Sequence, residues 1–503
     1  MTSLKQLALV CLISACFFSC KNETNTSNVD DTASEFAEFV STMTAEGIPT
    51  GNILVYENGE IVFKSSNGLR SITPIDSLDL NSQFRLASVS KQFTGMAIMK
   101  LKEAGKLEYD QNVNTILPDF PYDNITVRQL LHHTSGLTDY ERIVDSHFVR
   151  EDETKQYILG NNEILDIFYR VDPELDFQPG EKWDYSNTGY LVLASIVEKI
   201  SGQHFRTFLK DEITDPVGMS NTLLYNYQIE ADPNMPNRVF GYQKTLNQTD
   251  LVANDYNIVN DVRGDGGIYS TLDDLYKWNL ALANHTIIPK SYLDEAWTPG
   301  KLNNGEETNY GFGWFLGQDE TQPKTVFHSG GWVGFGTFLH NEVDDKSGFI
   351  VLTNNSTEHF GDILRGIANI RSGKAYEKPK PNIKNVLAKT IFEENINKAI
   401  AQYKNLKSNS PDAYNFAETE LNILGYGLLN ENRVDAAVAI FKLNTEQFPE
   451  SANPYDSYGD ALVIKGDTLN ALKNYRKCFE MDSTLQYAKD KAEALEIAYK
   501  FGE

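Results

Sequence analysis

The chain opens on an apolar run from Leu7 to Ser19, preceded by Lys5. Such a run is too short to cross a bilayer and fits the hydrophobic region of an export signal. From Lys21 to about Ser34 the residues are mostly Asn, Thr, Ser and Asp, which predicts a flexible tether. Two apolar runs follow, Ile53-Leu54-Val55-Tyr56 and Ile61-Val62-Phe63, separated by Asn58-Gly59. Asn-Gly tolerates positive φ at both turn positions, so this segment predicts a β-hairpin. Phe93, Met96, Ala97, Ile98 and Leu101 share one helical face that stops at Gly105. Thr126-Val127-Arg128-Gln129 has capping-box spacing before Leu130-Leu131. Ser186 or Asn187 is placed to cap a helix running to Ile200 and closed by Gly202. Thr325 to Phe327, Gly336 to His340 and Gly348 to Thr353 read as strands. Strands at both ends with helices between predict an α+β domain over residues 35–375, built on an antiparallel sheet whose chain ends meet.

Further on, Glu377-Lys378-Pro379-Lys380-Pro381 has the composition of a linker, and an amphipathic helix is predicted near Val386 to Tyr403, within a segment 376–415. Residues 416–503 contain a repeat. Gly425, Ala437 and Phe441 recur 34 residues later as Gly459, Ala471 and Tyr475. Small residues at the first two positions let paired helices approach, and the aromatic ring fills the gap. Pro449 falls at the turn between copies, and Leu485, Ala488, Ala492 and Leu495 have the spacing of a capping helix. The period and pattern resemble tetratricopeptide repeats, here in two copies. Both a groove for a protein partner and a packed structural appendage fit this region.

Composition narrows the function classes. The 503 residues are 41% apolar and 23% charged, a globular balance. Lys+Arg is 45 against Asp+Glu 70, a net charge of -25, which argues against nucleic-acid or anionic-headgroup binding. The four cysteines are Cys11, Cys16, Cys20 and Cys478. Phe17-Phe18-Ser19-Cys20-Lys21 resembles a bacterial lipobox, with Phe17 where Leu is usual. This predicts a signal peptide over 1–19, a lipidated Cys20 followed by the tether to residue 34, and an exported protein anchored in the cell envelope, periplasmic or surface-facing. Cys478 then has no partner for an intramolecular disulfide.

Three short motifs carry candidate chemistry. Ser88-Val89-Ser90-Lys91 is the only S-x-x-K in the chain, and it opens a predicted helix. Ser88 and Lys91 then lie on one face, within reach of each other. A serine hydroxyl needs a nearby base, and a buried lysine can supply one. Tyr185-Ser186-Asn187 follows Pro179-Gly180 on a loop that introduces a helix, where side chains can face a cleft. A phenol beside a lysine cation can also act as a base. His328-Ser329-Gly330-Gly331 sits on a strand, where glycines let a substrate lie close and backbone N–H groups can bind an oxyanion.

In this order and spacing, S-x-x-K, Y-x-N and H-S-G resemble the serine hydrolases related to class C β-lactamases and DD-peptidases. Flanking segments agree: Phe84-Arg85-Leu86-Ala87, Leu130-Leu131-His132-His133-Thr134-Ser135-Gly136-Leu137, Gly264-Asp265-Gly266-Gly267 before Ser270-Thr271, and Tyr310-Gly311-Phe312-Gly313-Trp314. The resemblance implies a sheet with flanking helices and a helical subdomain, with the site between them. It implies Ser88 as the acyl-accepting nucleophile and Lys91 and Tyr185 sharing acid–base work. Asn187 would orient the substrate and Lys91, His328 would face the substrate, and the N–H groups of Ser88 and Gly331 would form the oxyanion hole. No cofactor or metal is implied; His132-His133 lacks the H-E-x-x-H or Cys/His company of a zinc site and reads as structural.

His328 is a departure, because β-lactamases have the lysine of K-T-G there. A mostly neutral histidine cannot hold a substrate carboxylate as a permanent cation does. This favours an esterase or peptidase over an efficient β-lactamase, acting on a peptide, peptidoglycan-derived, β-lactam or ester substrate. The competing expectation is an inactive envelope binding protein that recruits a partner through its repeats, which three intact motifs speak against.

Overall fold

The computed structural model describes residues 26–225, 227, 235–317 and 324–501. The predicted signal, Cys20 and the start of the predicted tether lie outside them. From Thr26 onward the tether reading gives way to a helix, α1 (Thr26–Ala45). Phe36, Phe39 and Met43 recur at helical spacing and are buried, so apolar packing downstream organises the polar segment before it.

The central sheet has six antiparallel strands in the order β3-β4-β5-β6-β1-β2: β1 (Gly51–Glu57), β2 (Glu60–Asn67), β3 (Phe315–Leu316), β4 (Thr325–Trp332), β5 (Phe335–Glu342) and β6 (Ser347–Thr353). β1 pairs with both β2 and β6, so the two ends of the domain meet as the strand pattern predicts. Asn58 and Gly59 make the hairpin turn with φ of 52° and 78°.

The continuous apolar run in β1 follows from burial of both sheet faces. Ile53 and Val55 point to a cluster with Phe36, Phe39, Ile363 and Ile367, while Leu54 and Tyr56 point to the main core. Four further helices matter here: α2 (Ser90–Glu103), α3 (Asn187–Ser201), α4 (Leu272–Ala283) and α5 (Phe360–Arg371). α1 and α5 cover the outer face; α2 and α4 bring Phe93 and Trp278 into the main core, their rings stacked at 4.4 Å. The Thr126–Gln129 capping box forms. Ser186 caps α3 by accepting the Gly189 N–H, and Gly202 closes it at φ 70°.

Beyond the sheet domain are seven helices among the described residues: α6 (Ile383–Glu393), α7 (Ile396–Asn409), α8 (Glu418–Asn430), α9 (Val434–Gln447), α10 (Asn453–Lys465), α11 (Thr468–Met481) and α12 (Gln486–Phe501). The single amphipathic helix expected from Val386 to Tyr403 is two helices. The chain breaks at Glu394-Asn395, where the Asn395 side chain accepts the Lys398 N–H at 3.0 Å and starts α7.

In the tail, a Cβ on Gly425 would collide with the Phe441 ring, and one on Gly459 with the Tyr475 ring. Each glycine therefore admits the aromatic residue of the next helix. Several contacts dock this region on the sheet domain, among them Asn382 and Asn385, which both donate to Glu358. Lys384 of α6 bridges Glu358, 3.0 Å away, and Glu420 of α8, 3.1 Å away. Leu246, from the hairpin of strands Tyr242–Lys244 and Leu251–Ala253, packs on α8 at Gly427. No described helix is long and apolar enough to cross a membrane.

Candidate active site

Ser88 lies on a single 3-10 turn, Ala87–Val89, between the short strand Phe84–Arg85 and α2. Ala87 takes a left-handed conformation, φ 47°, which sharpens the turn and leaves Ser88 half-buried while its neighbours are fully buried. Lys91, one turn on, is buried, and its Nζ lies 3.3 Å from Ser88 Oγ. Nζ also donates to Asn187 Oδ1 at 2.8 Å and to the Asp265 main-chain carbonyl at 3.0 Å. These two partners only accept, so two N–H bonds of Lys91 are fixed and its remaining tetrahedral direction faces Ser88. That direction carries a proton in the ammonium and a lone pair in the amine. The geometry can therefore take the hydroxyl proton from Ser88 and return it.

Asn187 begins α3, whose cap at Ser186 fixes the direction of its side chain. Tyr185 precedes the cap, and Lys91 Nζ lies 4.8 Å from its ring centroid. The Tyr185 hydroxyl is buried and has no hydrogen-bond partner. In this state the direct proton link to Ser88 thus runs through Lys91. The Tyr185 ring is set by His133, 4.3 Å away between centroids. His133 Nδ1 accepts the Ser186 N–H at 3.0 Å, and His132 Nδ1 donates to the Tyr310 carbonyl at 3.0 Å. The two histidines thus brace the loop and the Tyr310 segment.

His328 departs from its expected place at the substrate. It is buried, and its Nδ1 lies 2.6 Å from the Ser329 carbonyl while Nε2 lies 2.9 Å from Tyr310 Oη. A carbonyl only accepts, so Nδ1 carries the proton and Nε2 accepts from Tyr310. Burial, aided by Lys91, pushes the ring pKa down to about 3. The imidazole is neutral, and both nitrogens are engaged inside the protein.

The strand that carries it, β4, is covered by β3 only at Val326 and Phe327. Among the described residues no strand pairs with its outer edge from His328 to Gly331. Gly330 lets β4 pass against the Ser88 turn, because a Cβ there would collide with the Leu86 carbonyl and crowd the Ser88 amide. Gly331 has open space around it. Ser88, Asn187 and Gly331 line one small pocket of about 40 Å³ with Arg85, Tyr140 and Asp265. Gly331 and Trp332 also border a larger groove of about 530 Å³ that runs along β4 and β5 toward Phe360.

Asp265, Tyr140 and Arg85 were not among the expected site residues, although Arg85 and Asp265 stand in the flanking segments. Asp265 Oδ2 accepts from Tyr140 Oη at 2.8 Å. Burial raises the Asp265 carboxyl, opposed by Lys91, by the Tyr140 hydrogen bond and by Arg85. Arg85 is buried and donates to Tyr227 Oη and to Asn260, whose Oδ1 also accepts from Trp332 Nε1 at 2.7 Å. A serine with a paired amine, beside an open strand edge that offers backbone donors, can carry out acyl transfer.

Residues 35–371 match the family model described as Beta-lactamase. Penicillin-binding protein 4* of Bacillus subtilis (strain 168) is 37% identical over 339 residues, covering 66% of this chain and 74% of that protein. Among solved structures, the octameric penicillin-binding protein homologue from Pyrococcus abyssi superposes with a TM-score of 0.58 at 25% identity, over 69% of this chain and 79% of that one. A class C beta-lactamase shares the fold with a TM-score of 0.54 at 20% identity, over 71% of this chain and 99% of its own. The sheet domain, its motifs and these matches agree, and the chain belongs to the Beta-lactamase family of serine hydrolases.

Proposed function

We propose that this protein is an exported, lipid-anchored serine hydrolase that cleaves an ester or amide through an acyl-enzyme on Ser88. The observation that carries the reading is Lys91 Nζ, fixed by Asn187 and the Asp265 carbonyl and directed at Ser88 Oγ. Lys91 takes the hydroxyl proton as Oγ bonds to the acyl carbon. The N–H groups of Ser88 and Gly331 hold the resulting oxyanion. The proton then passes, with Tyr185 assisting Lys91, to the leaving group as its bond to the acyl carbon breaks. Water repeats the sequence in reverse and frees Ser88.

The neutral, internally bonded His328 supports an esterase or peptidase over an efficient β-lactamase. Its role in this reading is to hold Tyr310 and the path of β4, in place of direct contact with substrate. The proposal is tested by turnover of p-nitrophenyl esters and of peptide amides by the full mature chain and its Ser88→Ala variant. Activity retained in the variant would refute it. Lipid anchoring through Cys20 is tested by Cys20→Ala, which should move the protein from the membrane to the soluble fraction.

The fit of Phe441 against Gly425 and of Tyr475 against Gly459 supports a tetratricopeptide-like reading of residues 416–503. These helices would present a surface to a protein partner, and deletion of 416–503 should abolish partner capture. Loss of turnover with unchanged capture would contradict that role.

A further inference from the structure

Three cavities join end to end from Ser88 to the helical region. The small pocket at Ser88 shares Gly331 and Trp332 with the groove along β4 and β5. That groove shares Ser356 and Thr357 with a third cavity of about 720 Å³. One wall of the third cavity belongs to the sheet domain: the turn after α1 at Ile48 and Pro49, and the hairpin at Lys244 and Leu251. The other wall is α6, which presents Asn385, Val386 and Lys389 from one face. The helical region thus bounds the far end of a trough that begins at the reacting serine.

The charges at that end do not balance. Two carboxylates line it, and each is held by a lysine outside the lining: Glu46 by Lys378 at 2.5 Å and Glu358 by Lys384 at 3.0 Å. The histidine of the lining, His359, is held by Asp362 at 2.8 Å. Lys244 forms no ion pair among the described residues, and Lys389 has only Glu393, 3.9 Å away on its own helix. A pair that long at the surface contributes little. Two cations, one from each domain, are therefore open to a ligand on a chain whose net charge is -25.

We infer that the trough holds an extended acyl chain of peptide length, and that Lys244 and Lys389 select one whose far end carries a carboxylate. This deepens the proposed function and rests on Ser88 being the acylated residue. With the oxyanion at the Gly331 N–H, the acyl carbon lies where the small pocket meets the groove, and its chain runs past Trp332 toward Thr357. β3 covers β4 at Val326 and Phe327, so the strand edge is free in this direction. The far carboxylate takes no part in bond making at Ser88; it forms charge-assisted hydrogen bonds with the two ammonium groups. α6 then serves substrate choice, a role separate from partner capture by residues 416–503.

The test attaches the chain to the reactive group itself, so no leaving group need be known. Fluorophosphonates carry glycine tails of about one to six residues, each adding about 3.3 Å when extended, and end in either a carboxylate or a carboxamide. Ser88 Oγ bonds to phosphorus and fluoride leaves, so the tail occupies the acyl position. Labelling rates of the full mature chain are measured at low ionic strength, where surface charges are least screened. The longest carboxylate tail should label about tenfold or more faster than the shortest, and about threefold or more faster than its carboxamide, the scale of two exposed ion pairs. Lys244→Ala combined with Lys389→Ala should bring acid and amide to equal rates and leave the shortest probe unchanged. Rates independent of tail length, equal rates for acid and amide in the wild type, or an acid preference that survives the double variant would each overturn the inference. Failure of the shortest probe to label wild-type Ser88 would instead refute the hydrolase reading on which the inference rests.

Discussion

Lys91 Nζ lies 3.3 Å from Ser88 Oγ, with its other two hydrogen-bond directions held by acceptors contributed from 96 and 174 residues further along the chain. The pair is three residues apart in sequence, but its orientation is a property of the tertiary fold. α3 brings Asn187, and the glycine-rich loop before strand Ile268–Ser270 brings the Asp265 carbonyl.

Removing the amine should therefore remove most of the chemistry. Lys91→Ala is expected to lower kcat/KM by about 10²–10⁴-fold, the usual range for a lost acid–base group. Lys91→Arg should not rescue it, since a guanidinium stays protonated and has no lone pair to offer Ser88. Asn187→Ala, which frees one direction of Nζ, should give a smaller loss. The check is steady-state kinetics on the best ester substrate; a Lys91→Arg variant at wild-type rate would contradict the assignment.

Two adjacent glycines should separate fold from function. Gly330→Ala drives a methyl group into the Leu86 carbonyl, so the strand must shift away from the Ser88 turn. Loss of fluorophosphonate labelling and a lower melting temperature are expected. Gly331→Ala adds a methyl group in open space and should change stability by less than about 0.5 kcal/mol while altering substrate KM. Thermal melts and labelling rates on the two variants check this directly.

The buried His328 should make the protein acid-sensitive. Its ring has an ordinary pKa of 6.5 when unfolded and about 3 when folded. Between those values the unfolded chain binds the extra proton, so stability falls as pH drops below 6.5. From pH 6.5 to pH 5 the wild type should lose about 2 kcal/mol more than His328→Asn, whose side chain does not titrate. Denaturant midpoints of both proteins at the two pH values test the sign; equal losses would contradict the burial argument.

Lys384 ties the helical region to the sheet domain. Its side chain is 8% exposed, and that of Glu420 is 6% exposed. Lys384→Met leaves Glu420 and Glu358 facing each other without the cation and should destabilise the chain by about 3 kcal/mol at pH 7. Adding Glu420→Gln should recover part of the loss. Urea unfolding of the single and double variants measures both, and an unchanged single variant would show that the bridge contributes nothing.

Features encoded over a few residues were legible in the sequence: the Asn58-Gly59 turn, the Thr126–Gln129 box, the Ser186 cap and the Ser88–Lys91 spacing. Each depends on local backbone geometry that neighbouring residues dictate. The meeting of the first and last strands was also legible, because apolar runs buried on both faces need neighbours on both sides.

What was hidden depends on distant partners. The Asp265–Tyr140 bond joins residues 125 apart, and no local pattern marks it. The inward turn of His328 is set by Tyr310 and by the carbonyl of its own neighbour. The break at Asn395 was missed because Phe392, Ile396 and Ile400 all pack on one core, so the apolar stripe continues across the two helices.

The most direct test of the central claim is intact-mass analysis of residues 21–503 after exposure to a fluorophosphonate and, separately, to a penicillin, with peptide mapping of any adduct. The account predicts one fluorophosphonate adduct, on Ser88, absent from Ser88→Ala and strongly slowed in Lys91→Ala. It predicts slow or no acylation by penicillin, since the neutral His328 offers no cation to its carboxylate. Absence of the fluorophosphonate adduct from folded protein, or its mapping to another residue, would contradict the claim that Lys91 activates Ser88.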